Sequence, residues 1–391
     1  MCTNNYSRRF PSPLIAYIST FPPSHCGLAS FSSELVSNLH NKICRFNPLL
    51  VRLEFDKHSV SNYANGISLI RWDKSRYIQI ANLINDLLVY AVNLQHEFKI
   101  FGGKHGEYIL FLLEHLRKPV LTTFHTIWPN FSGNRRRVFM QVAKKSDAII
   151  ALSNRGAEIL IKNYHIPISK IHIVPHGVPD LPFVYPSKSK LRSKWQYDTV
   201  FISAGFLRQS KGIEYALWAL AALRQTYPNF MYFILGKNHP RRKSAIEYRN
   251  YLQRMIDQLG LDDNVTFINQ YLSLDEMIEY IWASDICLVP YLRKEQSSSG
   301  VLALFMACGR PIISTDFQYA KAVGDNKVGI ITKRKDSDAL LKGIKYLIAN
   351  KKIRMAMMNT AYERINNWKW PIVAERYLEI IEGLINRDKS E

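Results

Sequence analysis

Short apolar runs alternate with amphipathic segments along the whole chain. Runs such as Leu14–Thr20 and Ala148–Leu152 have the length and composition of buried strands, whereas Gly212–Thr226 has apolar residues at helical spacing. Repeated alternation of strands and helices is typical of parallel sheets that are covered by helices on both faces. We therefore predict an α/β fold built from doubly wound, Rossmann-like parallel sheets.

The alternation is interrupted by a stretch from residue 181 to residue 197 that is rich in Pro, Ser and Lys and has little periodicity. We interpret it as a linker between an N-terminal domain, residues 1–180, and a C-terminal domain, residues 198–366. A length of 391 residues also favours two domains. Two such domains in tandem predict a ligand cleft between them.

Basic residues outnumber acidic ones, with 52 Lys and Arg against 32 Asp and Glu, which gives a net charge of +20. Each small basic cluster by itself is typical of a solvated surface, but the total favours a negatively charged partner. We expect peripheral contact with an anionic membrane. A nucleic-acid partner ranks lowest, because we find no nucleic-acid motif and no long basic tail.

No apolar run reaches the length of a membrane span, and we do not expect the first twenty residues to be a signal peptide, which would need a longer apolar core and a small-residue cleavage site. The predicted compartment is the cytoplasm, with peripheral contact at the inner membrane face. The five cysteines are an odd number without C-x-x-C spacing, which argues against a disulfide framework and against a zinc site. Cys287 and Cys308 lie in apolar runs, which favours ordinary core positions.

One stretch concentrates the features of a ligand site. Ile286–Pro290 is a predicted strand, Tyr291–Ser299 a polar loop, and the segment that follows Gly300 a predicted helix. In open parallel sheets, ligands bind where the carboxyl end of a strand meets the start of a helix, because backbone N–H groups there can accept an anion. N-capping of the helix is an equally good explanation of any one serine in the loop.

A second loop, Gly205–Lys211, follows the strand Thr199–Ser203 and carries Arg208 and Lys211. A pair of surface cations after a strand is the simpler interpretation. Their place between Gly205 and Gly212 favours phosphate binding, because a glycine lets the backbone come close to a ligand.

The N-terminal half offers weaker candidates. Gly27 follows the first strand and indicates either close approach of the backbone to a ligand or a simple turn. His96 and Glu97 begin a loop with paired glycines, which is more typical of a site rim, where they would contact an acceptor or move a proton. His125 also ends a strand, although a lone histidine there is more often structural. No compact ligand set favours a metal.

Several of these segments together resemble GT-B retaining glycosyltransferases of the large group called family 4, or group 1. The segments are Gly205–Gly212, Ala307–Pro311 with its A-C-G-x-P pattern, and Pro175–Val178. The resemblance implies that Arg208 and Lys211 grip the diphosphate of the donor and that His125 reaches the donor sugar across the cleft. It also implies that a last helix, residues 367–388, crosses back onto the first domain.

The chain departs from the family where two glutamates separated by seven residues are usual. Gln296 stands at the first position, which contacts the donor sugar, and Leu304 at the second, which holds the ribose. The Gln-Ser-Ser-Ser-Gly form, together with Gln95–Phe98 and Gly236–Pro240, resembles a subgroup of the family with its own pattern. A variant donor site is therefore expected, and a degenerate, inactive member remains the alternative.

The resemblance implies transfer of a hexose from a nucleotide-diphosphate sugar to a hydroxyl of a glycan or lipid-linked acceptor, with retention and without a metal cofactor. No protein nucleophile is indicated, so the leaving phosphate would assist deprotonation of the acceptor. The candidate residues are His125, Arg208 and Lys211 for catalysis; Gly205, Gly236, Lys237, Gln296, Ser297, Ser298, Ser299, Gly300 and Val301 for the donor; and Gly27, His96 and Glu97 for the acceptor.

Overall fold

A computed structural model describes residues 13–24, 26–40, 46–55, 66–236, 243–270 and 272–388. The chain folds as two compact units. Unit 1 comprises Met1–Gly177 with Trp368–Glu391, and unit 2 comprises Val178–Asn367. Each unit contains one parallel sheet flanked by helices, so the predicted α/β fold of two Rossmann-like sheets is confirmed.

The sheet of unit 1 has seven parallel strands in the order β3-β2-β1-β4-β5-β6-β7. The order reverses between β1 and β4, as in doubly wound folds. The strands are β1 (Leu14–Ser19), β2 (Asn47–Glu54), β3 (Gly66–Ile70), β4 (Val89–His96), β5 (Val120–Phe124), β6 (Ala148–Ala151) and β7 (Ile171–Ile173).

Helices cover both faces of this sheet, because alternate strand residues are apolar on each side. Four helices pack on one face and two, α1 and α13, on the other. The helices are α1 (Gly27–His40), α2 (Lys74–Asp86), α3 (Ile109–His115), α4 (Gly133–Lys145), α5 (Asn154–Tyr164) and α13 (Trp370–Asp388).

The sheet of unit 2 has six parallel strands in the order β10-β9-β8-β11-β12-β13, with its reversal between β8 and β11. The strands are β8 (Thr199–Ala204), β9 (Phe230–Leu235), β10 (Val265–Ile268), β11 (Ile286–Val289), β12 (Ile312–Thr315) and β13 (Gly329–Thr332).

Seven helices of unit 2 lie within the described ranges. They are α6 (Ile213–Arg224), α7 (Lys243–Leu259), α8 (Leu274–Trp282), α9 (Gly300–Ala307), α10 (Gln318–Val323), α11 (Ser337–Ala349) and α12 (Lys351–Arg364). Cys287 and Cys308 are fully buried, which confirms their predicted core positions.

Two elements are set by local features. Helix α2 begins at Lys74 because the Asp73 side chain caps its first turn, and it ends at Asp86, shortly before Val89 begins β4. Helix α10 is not predicted by the sequence pattern. Its six residues are too few to show a helical period in the sequence.

Candidate active site

Two loops meet where the strand order of unit 2 reverses. One follows β8 and runs from Gly205 to Gly212, and the other follows β11 and runs from Pro290 to Ser299. The backbone N–H of Leu292 donates to the carbonyl oxygen of Ser210 at 3.0 Å, so the two loops are joined directly. A crevice outside the strand ends at such a reversal is the usual ligand site of an open parallel sheet.

Glycines allow the loops of unit 2 to approach this closely. Gly212 has a φ of +64°, and a Cβ on it would lie 2.1 Å from the carbonyl oxygen of Pro290. A Cβ on Gly236, after β9, would lie 2.1 Å from the carbonyl oxygen of Gly205. The predicted donor glycines Gly205 and Gly236 are therefore neighbours at the strand ends. Lys237 lies outside the described residues.

Lys211 lies against an aromatic ring and has no acidic partner among the described residues. Its Nζ is 3.7 Å from the centroid of the Tyr291 ring, and no carboxylate of the described ranges pairs with it. Burial, and then the nearby Arg208 guanidinium, lower the pKa of the Lys211 ammonium to about 7. The Arg208 guanidinium beside Lys211 makes the local field more positive, which favours an anionic ligand.

The loop after β11 is fixed by the start of α10. Tyr319 donates its backbone N–H to the Gln296 carbonyl oxygen at 2.9 Å, and Gln318 donates to that of Lys294 at 2.8 Å. The side-chain amide of Gln296 donates to the Ser298 carbonyl oxygen at 3.0 Å. The short helix that the sequence did not reveal therefore sets the position of the predicted donor loop.

The serines of this loop differ in their surroundings. Ser297 and Ser299 are buried, and Ser298 is half-buried. The Ser299 hydroxyl accepts from the backbone N–H of Leu302 at 3.2 Å, so this residue is the N-cap of α9. N-capping, the alternative interpretation of these serines, is thus confirmed for Ser299. A hydroxyl so placed still lies at the start of the helix, where anions are favoured.

Gly300 and Val301 form the first turn of α9. The Val301 side chain lies 3.6 Å from the point that a Cβ on Gly205 would occupy, and Lys211 Nζ lies 3.5 Å from it. Lys211 of the first loop and Val301 at the start of α9 thus converge on Gly205. Leu304, one turn later on α9, is 7% exposed. An apolar, buried side chain at this position cannot hydrogen-bond a ribose.

In unit 1, His125 directly follows β5. Its Nε2 is 2.8 Å from Oε1 of Gln95, and its ring meets the edge of Phe31 with centroids 4.8 Å apart. Burial, followed by the neighbouring His176 and His96, lowers the pKa of His125 to about 3. At neutral pH the imidazole is therefore uncharged, which suits a hydrogen-bonding role better than a charge-bearing one.

The side chains of His96 and Glu97 lie in different environments. His96 has no exposed surface and lies among Phe98, Phe101 and Phe124; burial lowers the pKa of its imidazole to about 3. This position gives no support to direct contact between His96 and an acceptor. Glu97 is partly exposed and accepts a hydrogen bond from the Thr126 hydroxyl.

Gly27 is exposed and begins α1. A Cβ on Gly27 would meet no atom within 4 Å, and its φ lies outside the left-handed region. A sharp turn therefore does not require a glycine here. The open space in front of it remains compatible with close approach of a ligand.

Two further residues of these sites were missed as candidates. Tyr291 directly follows Pro290 at the end of β11, and position alone could have identified it, because strand ends carry ligand contacts. Gln95 lies on β4, two residues after Asn93 in an otherwise apolar strand. Two amides at a spacing of two share one face of a strand, which was the available signal.

Two features are absent from the described residues. No group of three or more His, Cys, Asp or Glu side chains is arranged to hold a metal ion. No helix in these ranges is both long enough and apolar enough to span a bilayer. The predictions of metal independence and of a cytoplasmic location stay predictions.

Family models match both halves of the chain. Residues 188–364 match the model "Glycosyl transferases group 1", and residues 82–180 match "Glycosyltransferase Family 4". These are the groups that the motifs resemble. The variant subgroup is not resolved by either match.

Curated relatives are distant. A phosphatidyl-myo-inositol mannosyltransferase of Propionibacterium freudenreichii is 24% identical over 55% of this chain and 50% of its own. A D-inositol 3-phosphate glycosyltransferase of Stackebrandtia nassauensis is 24% identical over 63% of this chain and 56% of its own. The chain thus matches only about half the length of these relatives.

Solved structures share the fold over nearly the whole chain. Sucrose-phosphate synthase of Thermosynechococcus elongatus has a TM-score of 0.81 at 16% identity and covers 96% of this chain and 100% of its own. Anabaena Alr3699/HepE in complex with UDP-glucose has a TM-score of 0.75 at 16% identity and covers 94% and 99%. The likeness shows a GT-B fold.

Proposed function

Because the chain is a glycosyltransferase of the group 1 and family 4 type, we propose that it moves a hexose from a nucleotide-diphosphate sugar to a hydroxyl acceptor with retention of configuration. The observation that carries the proposal is the position of Arg208 and Lys211 at the strand reversal of unit 2. There Lys211 has no carboxylate partner within the described residues. Supporting it, the Anabaena neighbour was solved with UDP-glucose.

Departure of a nucleoside diphosphate builds negative charge on the leaving oxygen. Arg208 and Lys211 would offset that charge, and the N–H groups at the start of α9 would add to the field. A bound diphosphate raises the pKa of a neighbouring ammonium, because it stabilises the charged form. Lys211 would therefore be fully protonated only once the donor is bound.

The polar loop that follows β11 would bind the sugar. Gln296 and the serines at 297, 298 and 299 present amide and hydroxyl groups, which can pair with sugar hydroxyls. His125 would contact a sugar hydroxyl as a neutral imidazole. The leaving phosphate would accept the acceptor's proton, as the resemblance to retaining glycosyltransferases implies.

The acceptor is proposed as a glycan or a lipid-linked sugar. Relatives that act on inositol lipid and on lipopolysaccharide, by their names, support this class. The charge of +20 supports peripheral contact with an anionic membrane. Co-sedimentation with vesicles of anionic and of neutral lipid at low salt tests this contact, and equal binding to both would remove it.

The experiment for the donor is calorimetric titration with UDP, GDP and ADP and their glucose or mannose conjugates, followed by turnover assays with any that bind. We expect one nucleotide to bind and its sugar conjugate to be consumed when an acceptor is present. Binding without turnover across a panel of acceptors would favour the alternative, a GT-B-like binding protein. The buried Leu304, in place of a ribose-binding carboxylate, is the observation behind that alternative.

A further inference from the structure

A row of polar side chains crosses an otherwise apolar layer of unit 1. The layer lies between the sheet and helices α1 and α13, and most of its members are aliphatic or aromatic. Asn93, Gln95 and Thr123 lie in it with at most 1% exposure. Burying amides and a hydroxyl costs free energy unless they pair with one another. Within the described residues Asn93 Nδ2 has no hydrogen-bond partner, whereas both polar atoms of the Gln95 amide are paired, which indicates a specific use for Gln95.

The row of Asn93, Gln95 and Thr123 ends at His125. Gln95 Nε2 donates to Asn93 Oδ1 at 2.6 Å and lies 3.4 Å from Thr123 Oγ1. The Thr123 hydroxyl is 2.8 Å from that of Tyr377 on α13. Because the amide nitrogen of Gln95 faces Asn93, its carbonyl oxygen faces His125 Nε2, at 2.8 Å.

This contact fixes where the imidazole carries its proton. A carbonyl oxygen can only accept a hydrogen bond, so Nε2 of His125 must donate one. A neutral imidazole has a single N–H, which leaves Nδ1 unprotonated. The Phe31 ring, perpendicular to the imidazole at 88°, packs against it and opposes rotation.

We propose that Gln95 is a positioning residue that holds His125 as the Nε2–H tautomer, so that the imidazole presents an accepting Nδ1 to a hydroxyl of the substrate sugar. The sugar contact rests on the proposed function, whereas the tautomer does not. The Thr123 hydroxyl, paired with that of Tyr377, accepts from Gln95 Nε2 at 3.4 Å and so favours this orientation of the amide. A flipped amide would offer N–H to Nε2 and force the opposite tautomer.

The test is nuclear magnetic resonance of the full chain with ¹⁵N-labelled histidine, without ligand, with the His125 signals assigned from a His125→Asn variant. We expect a protonated Nε2, a bare Nδ1 and no titration between pH 5 and pH 9. In Gln95→Leu the tautomer preference should be lost. In Gln95→Glu the pKa of His125 should rise by more than about one unit, because a carboxylate stabilises the imidazolium.

A protonated Nδ1 in the unmodified protein would overturn the proposal, and so would an unchanged tautomer in Gln95→Leu. If Gln95→Leu fails to fold, Tyr377→Phe keeps the proposal testable. This variant leaves His125 itself unchanged and should broaden the His125 signals or show a mixture of the two tautomers. Gln253→Leu, the same exchange at an exposed position of α7, is the matched control and should leave the spectrum unchanged.

Kinetic measurements distinguish the proposed role of Gln95 from the proposed glycosyltransferase activity. With a donor identified, Gln95→Leu should lower kcat/KM about tenfold, as expected for one lost hydrogen bond, and should add little in a His125→Ala background. Full additivity in that background would mean that Gln95 acts independently of His125. If no nucleotide sugar is turned over, the proposed function fails while the tautomer remains measurable.

Discussion

Units 1 and 2 share a strand order over six strands, to which unit 1 adds a seventh, and they differ in chemistry at the reversal. In unit 2, Lys211 lies beside a second cation and an aromatic ring, and glycines bring the loops together. In unit 1, the neutral His125 rests on buried amides and hydroxyls. The shared topology places a crevice in each unit, and the side chains decide whether it suits an anion or an uncharged hydroxyl.

The largest expected effect tests the cationic side. Lys211→Ala should lower kcat/KM by about 100-fold or more, because a cation that stabilises the leaving diphosphate is lost. Steady-state kinetics with the identified donor measure it. Lys342→Ala, an exposed lysine on α11 of the same unit, is the control and should match the unmodified protein. Near-normal activity of Lys211→Ala would remove this residue from the diphosphate site.

A pair of glycine substitutions compares the crowding of the two units. Gly212→Ala should lower the free energy of unfolding on the order of 3 kcal/mol, because it forces a left-handed φ and a clash with the Pro290 carbonyl oxygen. Gly27→Ala should change it by less than about 0.5 kcal/mol, since its Cβ meets open space. Denaturant titration of both variants measures the difference, and equal losses would contradict it.

The same Gly27→Ala protein also tests the predicted acceptor role. A loss of activity at unchanged stability would support close approach of the acceptor to this backbone. Unchanged activity would leave Gly27 as an ordinary first residue of α1.

The pH dependence of donor binding should come from unit 2 alone. Below pH 7 Lys211 is charged in the empty protein, and above pH 7 it is increasingly neutral, because its pKa is lowered to about 7. The Kd of the nucleotide sugar should therefore rise by up to about tenfold per pH unit above pH 7, until the pKa of the complex is passed. His125, with a pKa lowered to about 3, adds no step between pH 5 and pH 9.

Calorimetric titration at pH 6, 7, 8 and 9 measures this dependence. Lys211→Arg should flatten it, because a guanidinium does not titrate in this range. A nucleotide sugar is the better probe than a free diphosphate, whose terminal phosphate titrates near neutral pH. A flat profile for the unmodified protein would mean that Lys211 does not meet the phosphates.

The smallest effect concerns Tyr291. Tyr291→Leu removes the ring under the Lys211 ammonium and should weaken donor binding about three- to tenfold, in line with a partly desolvated cation–π contact. Tyr291→Phe keeps the ring and should stay within about twofold. If both variants weaken donor binding to the same extent, the hydroxyl of Tyr291 and not its ring supports donor binding.

The sequence predicted the parallel sheets and the loops at their strand ends, because apolar alternation reports burial directly. It did not predict what reaches those loops from elsewhere. Helix α10 holds Gln296 but is too short to show a period. His96 and Gln95 are adjacent in β4, so their side chains face opposite sides of the sheet. The alternation of the sequence predicts this separation, but it does not predict that α13 covers the side on which Gln95 lies.

The cation pair was predictable for a different reason than the histidine support. Arg208 and Lys211 lie in one short loop between two glycines, so local spacing marks them. Gln95 acquires its role from Thr123, which lies 28 positions later, and from Tyr377, which lies 254 positions after Thr123. Long-range hydrogen bonds of this kind leave no periodic trace in a single sequence.

Helix α13 has a consequence for how the chain folds during synthesis. It supplies Trp370, Tyr377 and Ile381 to the core of unit 1, and Gly177 packs against the Trp370 ring. A ribosome makes all of unit 2 between Gly177 and Trp370. The second unit can therefore fold while the first still exposes the part of its sheet that α13 covers, and this apolar surface is where a chaperone would bind a nascent chain.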